Sequence, residues 1–122
     1  MFVVCHLVGD YLLQTDWQAL NKRGGLGPDP QARRALLFHI ASYTLAFVPA
    51  LAWLAGEIGA WAVGVGALIA VPHLVQDDGR LLAVYVANVK HTDGRANPGV
   101  TAAADQAFHF LALFLTALLA GD

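Results

Sequence analysis

Three hydrophobic stretches each carry a histidine and an aspartate four positions apart: His6 with Asp10, His73 with Asp77, and Asp105 with His109. That spacing sets both side chains on one face of a helix. His39 stands in a further apolar stretch. Ionisable groups in apolar spans are costly, so seven of them in a small hydrophobic chain are expected to converge. Imidazole and carboxylate together suit zinc, manganese or iron, and such donors are commonly drawn from several helices of a bundle. The candidate ligands are therefore His6, Asp10, His39, His73, Asp77, Asp105 and His109. Gln14, Tyr43, Arg80 and Gln106 are the candidates for hydrogen bonding around them. Without a metal, the same residues would form an Asp–His hydrogen-bond network, which can hold helices together or carry protons.

What must position these groups follows from composition. The chain has 122 residues, of which 57% are hydrophobic and 13% charged. Its mean hydropathy is +0.55. The stretches 35–55 and 100–120 have no polar face to turn to water, so the expected fold is all-α, an integral membrane four-helix bundle forming one domain over residues 1–122. Helices are expected at about 2–23, 30–55, 57–88 and 98–120, with Gly24, Gly25 and Gly27 closing the first. Asp29-Pro30 starts the second as N-cap and first helical residue. Pro49 and Pro72 are expected to kink their helices, and Pro72 removes the partner of the Leu68 carbonyl.

All seven Lys and Arg residues (Lys22, Arg23, Arg33, Arg34, Arg80, Lys90 and Arg95) lie in or beside the first and third connections. The positive-inside rule then makes those connections cytoplasmic and puts both termini outside, in a bacterial inner membrane crossed several times. Trp17 reads as an inner interfacial anchor and Trp53 and Trp61 as the outer belt. Measured along each helix from its cytoplasmic end at about 1.5 Å per residue, His39 lies roughly 8 Å in and Asp105 to His109 roughly 8–14 Å. Asp77 and His73 fall about 5–10 Å from their exit, and Asp10 and Gln14 roughly 12–18 Å from theirs. Four spans agree in depth, in the cytoplasmic half. Arg80 is the one cation expected to reach the carboxylates. His91, in the polar loop 88–99, is expected to be solvated and outside the cluster.

Other classes are excluded. A net charge of −2 gives no basis for nucleic-acid binding. Cys5 is the sole cysteine, which rules out an internal disulfide and a thiolate zinc cluster; it reads as a small apolar residue. The apolar N-terminus lacks a basic region and a cleavage pattern, so a signal peptide is not expected. Ser42 is the only serine and has no nucleophile-elbow context.

The run Asp10-Tyr-Leu-Leu-Gln14-Thr-Asp-Trp17 with Asn21-Lys22 resembles an uncharacterised bacterial membrane family catalogued as domain of unknown function 3307. The resemblance continues through Leu37-Phe-His39, His73-Leu-Val-Gln-Asp77 and Asp105-Gln106-Ala-Phe-His109, covering all four expected helices in order. It implies the same topology and singles out the same polar residues, but implies no activity. Arg80 stands where that family usually has Lys. Bacterial membrane-bound metal-dependent hydrolases are similar in having intramembrane His and Asp residues.

Two functions compete at this stage. One is a metal-dependent hydrolase acting on a lipid or lipid-linked substrate, with a bound ion activating water. The other is an ion-, proton- or metal-handling subunit of a transporter, which with four helices would require a homo-oligomer. A purely structural polar network is the third reading. The bilayer is the expected partner in each.

Overall fold

The Asp29 side chain accepts from the backbone N–H groups of Gln31 (2.8 Å) and Ala32, and Pro30 supplies the first helical φ. A long helix therefore starts where the sequence indicates. In the computed structural model, which describes residues 1–121, this helix is α3, Pro30–Ile58. It is preceded by α1, Phe2–Leu7, and by α2, Asp16–Asn21; α4, Trp61–Asp78, α5, Arg80–Asn88, and α6, Pro98–Gly121, follow it. Among the described residues the regular structure is entirely helical.

Several boundaries depart from expectation. The first helix does not run unbroken to residue 23. α1 passes into a π-helical turn, Val8–Leu12, in which Leu13 N–H bonds Val8 O (2.9 Å), and the helix then stops. Thr15 restarts it through a reciprocal capping box with Gln18, so α2 is a separate short helix. α3 runs through both Pro49 and Gly56 and ends at Gly59, whose φ is +61°. The expected 57–88 helix is divided at Gly79, which adopts a left-handed conformation (φ +76°) that ends α4 and begins α5.

α3 packs on α4, and α4 on α6, with α1 and α2 laid against α3. Phe2, Tyr43, Phe47, Ala50, Leu54, Val65, Ile69 and Leu113 form the apolar core, with Cys5 partly buried beside it. The carbonyl of Leu68, left without its partner by Pro72, lies 3.4 Å from Thr116 Oγ1 of α6, whose shorter bond returns to Ala112 O (2.9 Å). The one hydroxyl proton goes first to Ala112 O, and Leu68 O can take only the long arm of a shared bond.

The distribution of polarity is inverted. Leu45, Trp53 and Leu119 are 64%, 63% and 59% exposed, while His6 and His39 are 0% exposed. α3 and α6 are each long and apolar enough to cross a bilayer, and Phe2–Leu12 is a shorter apolar helix. The mid-helix exposed faces are largely apolar, the buried interior carries His6, Asp10, His39, His73, Asp77 and His109, and the exposed charges, such as Arg33, Arg34, Arg80 and Lys90, sit at helix ends and connections.

Candidate metal centre

Each central side chain is delivered by a specific local feature. Asp10 lies in the π-helical turn, where the widened helix presents it towards α3. The turn can approach because residue 9 is glycine: a Cβ there would stand 2.6 Å from Tyr43 Cδ2 and 3.2 Å from Tyr43 Cα. His39 comes from α3, and His73 and Asp77 share a face of α4 one turn apart.

Four donor atoms from these residues meet. His39 Nε2 lies 3.2 Å from Asp10 Oδ1 and 2.7 Å from Asp77 Oδ2. His73 Nε2 lies 3.3 Å from Asp10 Oδ1 and 3.2 Å from Asp77 Oδ2, and the two Nε2 atoms are 3.1 Å apart. The two carboxylates complete a set whose donor atoms all fall within 4.8 Å of one another. A tetrahedral site with zinc–ligand bonds of 2.0–2.1 Å has ligand–ligand edges of about 3.3 Å. Five of the six separations, at 2.7–3.3 Å, fall at or below that edge, so the donors converge closely enough to share one ion after small adjustments. All four residues are buried, at 0–8% exposure. Asp10 Oδ1 and the Nδ1 atoms of His39 and His73 have no hydrogen-bond partner among the described residues. A buried Asp10–His39–His73–Asp77 group of this geometry could hold a divalent ion.

The remaining expected ligands surround this quartet. His6 Nε2 donates to Gln106 Oε1 (3.1 Å), and its Nδ1 accepts from the Tyr43 hydroxyl (3.1 Å), with Asp10 Oδ2 at 3.6 Å. His6 therefore orients its neighbours and stands outside the quartet. The Tyr43 ring stacks on His73, centroids 3.4 Å apart and nearly parallel, so Tyr43 fixes the planes of both imidazoles. His109 Nδ1 donates to Asp105 O (2.8 Å). Because a carbonyl only accepts, the neutral ring has its lone pair on Nε2, which lies 3.6 Å from Asp77 Oδ1. Two acceptors then face each other across a gap that suits a proton or a cation.

Asp105 is displaced from the centre. Its carboxylate is 24% exposed, 3.9 Å from His109 Nδ1, and borders a separate cavity of about 380 Å³ with Pro72, Gln76 and Tyr85. Gln14 donates to the backbone carbonyl of Asp10 (3.2 Å) and not to a carboxylate. His91 is exposed, with φ +51°, and stands outside the cluster as expected.

Arg80 does not reach Asp77. The left-handed turn at Gly79 starts a new helix, so Arg80 leaves the face that Asp77 occupies and pairs with Asp78 instead. Lys22 reaches the centre in its place. Its Nζ lies 2.7 Å from Asp77 Oδ2 and also donates to Gln14 Oε1. The break after Leu13 folds α2 back so that Lys22, just past its end, points inward. Asp78 was also not anticipated: it is 4% exposed and accepts from Leu26 N–H (2.8 Å), fastening the glycine-rich loop to the end of α4. Its neighbour Gly24 donates to Asp78 O (2.8 Å). The Thr15-x-x-Gln18 capping box was the sequence signal for the break that brings Lys22 in.

Comparison with protein families, with curated proteins and with solved structures finds no match to this chain.

Proposed function

We propose that this chain is a multi-pass protein of the bacterial cytoplasmic membrane, a four-helix bundle with both termini outside, that binds one divalent cation at Asp10, His39, His73 and Asp77. Zinc is the first choice because four converging nitrogen and oxygen donors suit its four-coordinate shell; manganese and iron share the donor types. The observation that carries the reading is that five of the six donor–donor distances are 2.7–3.3 Å, and the sixth is within 4.8 Å, among atoms from three separate segments. The inverted polarity of the surface, and the gathering of every Lys and Arg around two connections, support the membrane placement. The same reading groups the chain with domain of unknown function 3307, on the motif blocks quoted above.

The activity we assign is metal-dependent hydrolysis of a lipid or lipid-linked substrate. Lys22 supports it, because it claims the same Asp77 oxygen that faces the metal position. All four residues would hold the resting metal; if Asp77 passed to Lys22, Asp10, His39 and His73 would remain as three protein ligands, the number characteristic of catalytic zinc, and water would take the place Asp77 left. Asp77 then stands beside that water as a general base. The competing reading is proton or ion handling, favoured by the His109–Asp77–His39 chain, with transport by an oligomer.

Elemental analysis of the purified protein tests the metal assignment: near-stoichiometric zinc, manganese or iron supports it, and metal-free protein that takes up none on addition overturns it. A lipid turnover assay with metal-loaded protein in vesicles separates the activities. Turnover lost in Asp77→Asn supports hydrolysis, and metal-dependent proton or cation flux without turnover supports transport.

A further inference from the structure

A second polar site lies beside the metal centre, on the end of the bundle that bears the cations. A cavity of about 660 Å³ is bordered by Arg23, Arg80 and Arg95 at its rim and by Leu82 and Val86 on its floor. Three guanidinium groups line it against the two carboxylates of Asp78 and Asp93, a surplus of one positive charge. The carboxylates are already engaged. Asp78 takes Leu26 N–H and the Arg80 guanidinium, and Asp93 Oδ1 takes the backbone N–H of Arg95 (2.8 Å). Among the described residues, neither the Arg23 nor the Arg95 side chain forms an ion pair. The Arg23 stem lies across the α4–α5 turn, its Cγ 3.5 Å from where a Cβ on Gly79 would stand, an ordinary contact distance.

We infer that this cavity binds a phosphate monoester, held by Arg23 and Arg95. Two free guanidinium groups bordering one cavity match the several acceptor oxygens of a phosphate, to which arginine bonds in a bidentate manner. The apolar floor suits a phosphate that arrives attached to a lipid; a small soluble phosphate compound would satisfy the arginines alone. The inference rests on the membrane placement proposed above, which sets this rim at the cytoplasmic surface, where lipid phosphates lie. The two sites share adjacent residues: Lys22 contacts Asp77 while Arg23 lines the cavity, and Asp77 belongs to the quartet while Asp78 lines the cavity.

The test uses the full chain in detergent and titrates three probes: short-chain phosphatidic acid, short-chain phosphatidylcholine and inorganic phosphate. Metal content is measured on the same samples. Saturable binding of phosphatidic acid, one per chain, is expected, with phosphatidylcholine weaker because its choline offsets the phosphate charge. Combined Arg23→Gln and Arg95→Gln should weaken binding by about tenfold or more, as expected for losing charge-assisted hydrogen bonds. Arg34→Gln, which alters a cation stacked on Phe38 away from the cavity, should leave it unchanged. Ala83→Phe keeps every charge but fills the cavity, and should weaken binding as well. Inorganic phosphate binding as tightly as phosphatidic acid would support the phosphate site and assign it to a soluble ligand. Absence of saturable binding by both phosphates in protein that retains its metal would overturn the inference and leave the metal assignment standing. Binding unaffected by both the double substitution and Ala83→Phe would overturn it equally.

Discussion

Lys22 Nζ stands 2.7 Å from Asp77 Oδ2, and His39 Nε2 stands 2.7 Å from the same oxygen. One carboxylate oxygen therefore serves the only lysine at the centre and both central imidazoles, since His73 Nε2 lies 3.2 Å from it. Lys22 compensates Asp77 when no metal is present and repels a divalent ion when one arrives. Lys22→Met keeps much of the apolar stem but removes the charge. The metal-free protein should lose about 3 kcal/mol, the order expected when one partner of a buried ion pair is removed. Metal should then restore stability by more than it does in the wild type, with tighter binding. Thermal unfolding of both proteins, metal-free and metal-loaded, measures this; equal metal-induced shifts would contradict it.

Asp77→Asn preserves size and removes the anion. Metal retention should fall strongly, because a neutral amide is a poor substitute for a carboxylate ligand, while the bundle stays folded. If Asp77 only joins helices, the substitution would leave metal content untouched, and it could stabilise the fold by removing a buried charge. Metal content and unfolding in one detergent distinguish the two.

Gly9 is where the π-helical turn meets α3. Gly9→Ala introduces a Cβ against Tyr43 Cδ2 and Cα, so overpacking should destabilise the protein by about 1–3 kcal/mol. Since Asp10 is the next residue, the metal should also be held less tightly. Tyr43 is braced by its stacking on His73, which leaves displacement of the turn as the remaining relief. A variant that keeps wild-type unfolding temperature and metal affinity would show that the close approach is not needed.

Orientation is tested by cysteine labelling in a Cys5→Ala background. A probe at Gly121 should react from outside, and one at Gly94 should be protected until the membrane is permeabilised. The opposite pattern would reverse the topology drawn from the basic residues.

The sequence exposed the helical character and most of the cluster for one reason: His73 and Asp77 lie one turn apart on a single helix, and helical rise relates depth to position. His39 and Asp10 could be matched to them by depth alone. What escaped depended on where helices stop. The apolar run from Phe2 to Leu13 concealed a π-helical turn and a break, although Thr15 and Gln18 had the pattern of a capping box. Without that break, Lys22 would fall in a solvated connection. Gly79 was equally decisive, since its left-handed turn moved Arg80 from Asp77 to Asp78. Asp105 has the right spacing from His109, but the imidazole bonds the Asp105 backbone carbonyl, and its carboxylate remains half-buried beside a different cavity. Periodicity gives the face of a helix; it does not say which atoms of that face reach the centre.

X-ray absorption spectroscopy of the zinc-loaded protein, with a His39→Ala, His73→Ala double variant as reference, reads the ligand shell itself. The expected spectrum has nitrogen and oxygen donors at about 2.0–2.1 Å in four-coordination, with the scattering signature of two imidazoles, and the double variant loses its zinc. A six-coordinate all-oxygen shell, or zinc retained in the absence of both histidines, would contradict the metal assignment.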